Sequence, residues 1–111
     1  MLHDAPKRYG APCPVQDALG AVAGKWTAGI LGRLAHGPAR FSALRLAAQG
    51  EAPKPPTAKV LSADLARLVD AGLVVRTEAP GRAPRYALTP RGRGLVPLLD
   101  ALGQWADDSC S

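Results

Sequence analysis

The chain has 111 residues, of which 47% are hydrophobic, and it carries a formal net charge of +5. This length suits one domain with a modest core, and the apolar content is too high for a disordered chain. No apolar run approaches the roughly 20 residues of a membrane-spanning helix, and the N-terminus lacks the apolar segment of a secretory signal. We therefore expect a cytoplasmic protein with reduced thiols.

The positive charge is concentrated in the middle of the chain. Residues 40–93 contain ten Lys or Arg and four Asp or Glu, a net charge of +6, whereas the remainder carries −1. A basic central segment indicates a polyanionic partner, of which nucleic acid is the first to consider. The alternative is a general compositional bias towards Arg, Ala, Gly and Pro.

Residues able to form a catalytic or metal site are few and scattered. The cysteines, Cys13 and Cys110, and the histidines, His3 and His36, lack the spacing of metal ligands. The sequence has no glycine-rich phosphate loop and no pattern typical of a catalytic triad. We therefore expect no enzymatic activity, no metal and no cofactor.

The first third of the chain predicts an arm and two helices. Residues 1–12 are polar and rich in Pro and Gly, which is typical of a flexible arm. Pro14 is well placed at the first position of a helix whose apolar stripe runs over 15–22. After a glycine break, the apolar spacing predicts a buried helix over 25–35, with Trp26 in the core.

A third, shorter helix is predicted to begin at Phe41, with Ser42 as its cap, and to end near Ala48. The following segment, 49–56, contains three prolines and one glycine. This composition excludes a helix or a central strand and predicts a semi-rigid connector.

The stretch 57–72, TAKVLSADLARLVDAG, predicts the helix around which the remaining chain is arranged. Thr57 is a good N-cap, and Gly72 stands where a helix commonly ends. One face is apolar, through Val60, Leu61, Leu65 and Leu68. The opposite face carries Lys59, Ser62, Ala63 and Ala66. Small side chains with a lysine near the N-terminus would permit close approach to a phosphate-lined groove; an ordinary solvated helix face is the alternative.

A hairpin and a last helix complete the pattern. The segments 73–77 and 85–89 predict antiparallel strands joined by a tight turn from which Arg82 and Arg85 project. Thr89-Pro90 begins a final helix that carries leucines on more than one side. This order of elements is that of a winged helix-turn-helix, a mainly α fold with a small β-hairpin. In such folds one helix enters the major groove, and the hairpin tip lies against the neighbouring DNA backbone or minor groove.

Five groups of residues carry a family resemblance over residues 13–105: Cys13-Pro14-Val15, Gly24-Lys25-Trp26, Gly37-Pro38 with Arg40-Phe41-Ser42, Lys59-Val60-Leu61-Ser62, and Tyr86-Ala87-Leu88-Thr89. Together they resemble the HxlR-type winged helix-turn-helix transcriptional regulators, which are related to the MarR group. The resemblance implies a bacterial homodimer that binds double-stranded DNA at a pseudo-palindromic operator, commonly as a repressor. It also implies a dimer interface formed by the first and last helices.

We accordingly expect an N-terminal arm over 1–12, a DNA-binding and dimerisation domain over 13–107 and a C-terminal tail over 108–111. The expected DNA-binding residues are Ser42, Lys54, Thr57, Lys59, Ser62, Ala63, Arg82 and Arg85. The expected dimer interface consists of Val15, Leu19, Val22, Leu95, Leu98, Leu99, Leu102 and Trp105. For the last helix, the alternative is that all its leucines line one broad intramolecular face.

The resemblance also makes Cys13 a candidate redox sensor, because family members commonly respond to oxidants, quinones or electrophiles through this cysteine. A thiol at a helix N-terminus near Lys7 and Arg8 is expected to have a lowered pKa and a greater reactivity. The alternative is a cysteine in the cap region that packs against Trp26 or against the partner subunit. Cys110 is a candidate for resolving an oxidised Cys13 across the dimer.

Two features depart from the family pattern. The connector 49–56 is several residues longer than the usual turn, which leaves the angle between the two flanking helices open. Ala63-Asp64 stands where relatives often carry Gln-Arg. We expect Asp64 to pair with Arg67, and Ala63 to be limited to apolar contact with a base, such as a thymine methyl group.

Two other functions are compatible with the sequence. One is a winged-helix protein-interaction module without DNA binding. The other is a regulator that responds to a small molecule bound between the dimerisation helices and the winged domain.

Overall fold

The computed structural model describes residues 20, 22 and 24–110. The predicted arm, most of the first predicted helix, and the candidate residues Cys13, Val15 and Leu19 lie outside this part of the chain. Gly20 and Val22 are helical, as predicted, and Val22 packs against the core.

Within the described residues the order of elements is α1 (Thr27–Leu34), β1 (Ala39–Arg40), α2 (Phe41–Gln49), α3 (Ala58–Asp70), β2 (Val74–Thr77), β3 (Arg85–Leu88) and α4 (Pro90–Cys110). The strands form an antiparallel sheet in the order β1–β3–β2. Helices α2 and α3 are joined by the proline-rich connector, and the β2–β3 hairpin leads into the long last helix. The predicted winged helix-turn-helix fold is confirmed.

Strand β1 is an element that the sequence did not predict. Its two residues pair with β3, Ala39 opposite Tyr86 and Arg40 opposite Arg85. A strand of this length shows no periodicity, so only its pairing partner defines it. Because β1 leads directly into α2, the N-cap of α2 is Arg40. The prediction of Ser42 as the cap was wrong, and Ser42 lies in the first turn.

Aliphatic side chains from three helices and the sheet form the core. The largest fully buried hydrophobic side chains are Ile30, Leu31, Leu34, Leu44, Leu61, Leu65, Leu68 and Val74. In α3 the core stripe follows positions 61, 65 and 68, and Val60 lies one residue off this stripe and is 42% exposed. The placement of Val60 on the apolar face is thereby corrected.

Trp26, predicted in the core, is half-buried and packs against the core edge. Lys25 Nζ lies 4.7 Å from the centroid of its ring, within the range of a cation–π contact.

The connector between α2 and α3 is held by hydrogen bonds at both ends. At its start, Gln49 Nε2 donates to the carbonyl oxygen of Ala52 at 3.0 Å, and the Ala52 amide donates to the Gln49 carbonyl at 2.8 Å. At its end, Arg45 Nε donates to the carbonyl oxygen of Pro56. These contacts set where α3 begins relative to α2.

Helix α4 is anchored at its start by one threonine. Thr89 Oγ1 accepts a hydrogen bond from the Gly92 amide at 3.1 Å and donates one to the Gly72 carbonyl at 2.6 Å, so it caps α4 and ties it to the end of α3. The helix runs to Cys110, so residues 108–110 continue it where a separate tail was expected. In the part of the chain that the structure describes, no helix combines the length and the apolar character that crossing a membrane requires.

Candidate nucleic-acid interface

Helix α3 presents small and cationic side chains to the solvent. Lys59, Ser62, Ala63 and Ala66 are all exposed, opposite the buried leucines. Thr57 Oγ1 accepts a 3.2 Å hydrogen bond from the Val60 amide, which is the predicted N-cap. Because the side chains of Ser62, Ala63 and Ala66 are short, another molecule can approach this part of the helix backbone closely. A helix that inserts into a DNA major groove needs such a face, so the α3 face is the candidate surface for DNA contact.

Asp64 and Arg67 flank this face and are engaged with each other. Arg67 Nη2 lies 3.3 Å from Asp64 Oδ1 and 3.3 Å from Oγ1 of Thr27, a fully buried residue at the start of α1. The predicted Asp64–Arg67 pair is therefore present, and it also connects α3 to α1. With these two charges paired, Lys59 is the cation of α3 that faces solvent without a protein partner, within the described residues.

A groove of about 530 Å³ separates the first half of α3 from the hairpin. Its lining consists of Arg40, Phe41, Ser42, Ser62, Arg76, Ala83, Pro84 and Tyr86. A second groove of about 240 Å³ continues along α3 and shares Ser62, Arg76 and Tyr86 with the first. The fold thus brings the predicted residues Ser42 and Ser62 to the same concave surface.

The hairpin, or wing, carries the two predicted arginines. Gly81 adopts a φ of +74° in the turn, a left-handed conformation that glycine accepts without strain. Arg82 follows it directly, Arg85 begins β3, and both are exposed. Arg76 of β2 is paired with Glu78 at 2.5 Å, so its charge is balanced within the wing.

The remaining predicted contact residues are exposed but lie outside the groove lining. They are Lys54, Thr57, Lys59, Ala63, Arg82 and Arg85. Sequence reasoning missed Arg40, which lines the groove and faces Arg85 across the sheet. The available signal was a basic residue directly before Phe41, at the start of a helix, within a basic segment.

Helix α4 has apolar side chains on two sides, as predicted. Leu95, Val96 and Leu99 pack against the core. Leu98, Leu102 and Trp105 point away from it and are 65%, 52% and 66% exposed. Of the expected interface residues that the structure describes, Val22, Leu95 and Leu99 therefore contribute to the core of this chain, whereas the three exposed ones form a separate apolar patch.

Comparison with known proteins agrees with this architecture. Residues 21–111 match the model of the HxlR-like helix-turn-helix family. An uncharacterized HTH-type transcriptional regulator of Methanothermobacter thermautotrophicus is 36% identical over 95 residues, covering 84% of this chain and 69% of that protein. The HTH-type transcriptional regulator YvaP of Bacillus subtilis is 31% identical over 99 residues, covering 86% and 87%.

Solved structures show the same fold. A MarR-family regulator from Enterococcus faecalis superposes with a TM-score of 0.73 at 28% identity, covering 86% of this chain and 84% of that one. The reduced form of the regulator YodB from B. subtilis superposes with a TM-score of 0.73 at 26% identity, covering 89% of this chain and 95% of that one. The redox regulator HypR in its reduced form superposes with a TM-score of 0.72 at 25% identity, covering 88% of this chain and 94% of that one.

Family and relatives are regulators of transcription and not enzymes, which agrees with the expectation from the sequence. The family match spans most of the chain and coincides with the winged helix-turn-helix that the structure describes. The chain therefore belongs to the HxlR-like helix-turn-helix family and is a helix-turn-helix transcriptional regulator.

Proposed function

We propose that this regulator binds a pseudo-palindromic DNA operator as a homodimer and represses transcription from it. The observation that carries the proposal is the exposed face of α3, which is small and cationic and is flanked by a wing bearing Arg82 and Arg85. Inserted in the major groove, this face offers Lys59, Thr57 and Ser62 to phosphates or bases. Such a protein would act in the cytoplasm, where bacterial and archaeal chromosomal DNA is found.

Few side chains on α3 can specify a base. Ala63 offers only an apolar contact, and Asp64 is paired with Arg67. Phosphate contacts, the wing and sequence-dependent DNA shape would therefore supply much of the affinity.

The apolar patch of α4 supports the homodimer. Leu98, Leu102 and Trp105 lie three and four residues apart and are exposed together on one helix, and such a patch commonly marks a protein–protein contact. Pairing α4 with its counterpart around a two-fold axis would bury both patches at once. The two α3 helices could then enter major grooves one DNA turn, about 34 Å, apart.

DNA binding is tested by a gel shift and by fluorescence anisotropy with the duplex that lies upstream of the gene. We expect wild type to bind, and Lys59→Ala and Arg82→Ala each to weaken binding and reduce its salt dependence by about one ion. Arg93→Ala is the matched control: it also removes one positive charge, but Arg93 lies on the first turns of α4, beyond the C-terminal end of α3.

An unchanged affinity in both α3 and wing variants would show that the reading surface is assigned wrongly. Absence of binding by wild type to any duplex would favour the protein-interaction module instead. A reporter gene behind the bound duplex distinguishes repression from activation, and we expect expression to rise when the regulator is removed.

We further propose that thiol oxidation at Cys13 controls DNA binding. One support is the resemblance of the sequence around Cys13 to regulators that respond to oxidants through a cysteine. The other is the likeness to HypR, a redox regulator by name, and to YodB, of which a diamide-treated form is also similar to this chain at 25% identity. Diamide should weaken operator binding by wild type and leave Cys13→Ser unaffected. Equal loss of binding in both proteins would remove Cys13 from the mechanism.

A further inference from the structure

Two arginines face each other across neighbouring strands where β3 begins, beside the turn of the wing. In the β1–β3 register, Arg40 is the direct partner of Arg85. Directly opposed residues on antiparallel strands point to the same side of the sheet, with their Cβ atoms about 5 Å apart. Both residues are exposed. The register therefore places the two arginine side chains on the same side of the sheet, starting from neighbouring positions.

This pair lacks a compensating carboxylate within the described residues. The carboxylates of Asp64 and Glu78 are paired with Arg67 and Arg76, and no ion pair of Arg40 or Arg85 with a described residue is present. The first turn of α2, which Arg40 caps, contains no acidic residue. Like charges directly opposite each other destabilise a sheet, so the arrangement is unfavourable unless an anion lies between the arginines.

The surroundings supply further donors for such an anion. Arg40 stands at the N-cap of α2, a nine-residue helix, and makes no side-chain capping bond. The first amide groups of a helix have no partner within it and favour negative charge. Ser42, in the same turn, is exposed and lines the groove beside Arg40. The arginine pair and the helix N-terminus thus favour the same kind of ligand at one place.

We infer that Arg40 and Arg85 together bind one phosphate group of the DNA backbone, where the wing joins the helix-turn-helix. This inference rests on the proposed DNA binding and adds Arg40 to its contacts. Guanidinium groups suit the task, because their planar N–H donors match the oxygens of a phosphate. The β1–β3 pairing would make this site rigid, whereas Arg82 at the wing tip reaches DNA from a turn.

A double-mutant cycle tests the sharing of one phosphate. We use Arg40→Gln, Arg85→Gln and the double variant, with the fluorescein-labelled duplex from upstream of the gene over a series of salt concentrations. Each single variant should bind about tenfold more weakly, as expected for losing a hydrogen bond to a charged group. If the phosphate is shared, the salt dependence of the double variant should show about one released ion fewer than that of wild type. Its fold-loss of affinity should be smaller than the product of the fold-losses of the two single variants.

The result that would overturn the inference is distinct from failure of DNA binding itself. If wild type binds, Arg82→Gln weakens binding and Arg40→Gln does not, the pair is wrong while the proposed function stands. If the double variant releases two ions fewer than wild type and its fold-loss of affinity equals the product of the single losses, each arginine contacts its own phosphate. The inference of one shared phosphate would then be wrong. Arg40→Lys, which keeps the charge without the planar fork, should recover only part of the affinity.

A second measurement needs no DNA. Inorganic phosphate, compared with sodium chloride at equal ionic strength, should raise the thermal midpoint of wild type more than that of the double variant, because it occupies the pair. Comparing the two proteins removes the general stabilisation that phosphate gives to any protein. An equal rise of the thermal midpoint in wild type and in the double variant would overturn the inference. This test applies even if wild type binds no duplex.

Discussion

Arg45 Nε donates a 2.7 Å hydrogen bond to the carbonyl oxygen of Pro56, so a side chain of α2 holds the residue that precedes the N-cap of α3. Pro56 is itself buried. The long proline-rich connector left the angle between the two helices open in the sequence. In the structure, hydrogen bonds from α2 residues hold both ends of the connector, at Ala52 and at Pro56.

Replacing Arg45 should therefore alter both stability and DNA binding. Arg45→Met keeps an unbranched side chain but leaves the Pro56 carbonyl without this donor. We expect a loss of about 1 kcal/mol in the free energy of unfolding, measured with urea, and a larger relative loss in DNA affinity, because α3 is displaced. Arg93→Met, on an exposed position of α4, is the control. Unchanged DNA affinity in Arg45→Met would mean that the bond does not position α3.

The N-cap of α3 should contribute measurably to stability. Thr57→Ala removes the oxygen that accepts from the Val60 amide, and we expect the free energy of unfolding to fall by about 1 kcal/mol. Thr57→Ser keeps the oxygen acceptor and should retain most of the cap's contribution to the free energy of unfolding. Urea unfolding of the three proteins decides the matter, and equal stability of Thr57→Ala and wild type would contradict the cap.

Two glycines of α1 should respond in opposite directions to the same substitution. A Cβ at Gly29 would lie 2.7 Å from the carbonyl oxygen of Ala47 and 2.9 Å from Cα of Ala48, so α1 and α2 cross here with backbones nearly in contact. Gly29→Ala should destabilise the protein by about 1–3 kcal/mol. A Cβ at Gly32 would have no neighbouring atom within 4 Å, so Gly32→Ala should stabilise the protein by up to about 1 kcal/mol.

Thermal or urea unfolding of both glycine variants provides the measurement. Since helix propensity favours alanine equally at the two positions, the difference in sign isolates the close crossing of α1 and α2. A stabilised Gly29→Ala would show that the two helices separate at little cost.

The oligomeric state should depend on the exposed patch of α4. Leu102→Lys places a charge in the centre of that patch, and we expect it to shift the protein from dimer to monomer in sedimentation-velocity experiments. Leu46→Lys is matched in chemistry, since Leu46 is a 70% exposed leucine on α2, and it should leave the dimer intact. If neither variant changes the sedimentation coefficient, the interface lies elsewhere.

Elements with strong local signals could be predicted closely. Thr57 caps α3 as expected, and Gly72, with a φ of +77°, stands just past its end as expected. The exposed face of α3 and the Asp64–Arg67 pair also followed from helical spacing alone, because residues three and four apart share a face. Val60 was wrongly predicted to lie on the buried face, because helical spacing does not show how wide the buried stripe is. Val60 neighbours the buried Leu61 but is exposed.

By itself, the sequence determined the order of the helices and the hairpin, the small cationic face of α3 and the family. The elements and the face depend on residues close together in the chain, where caps, turns and periodicity act, and the family on five short motifs. Only the tertiary structure decided that residues 39–40 form a strand, that Arg40 stands opposite Arg85, and that Arg45 holds Pro56. Each of these depends on pairing between residues that are distant in sequence or on different elements, and such a partner leaves no mark on the local pattern.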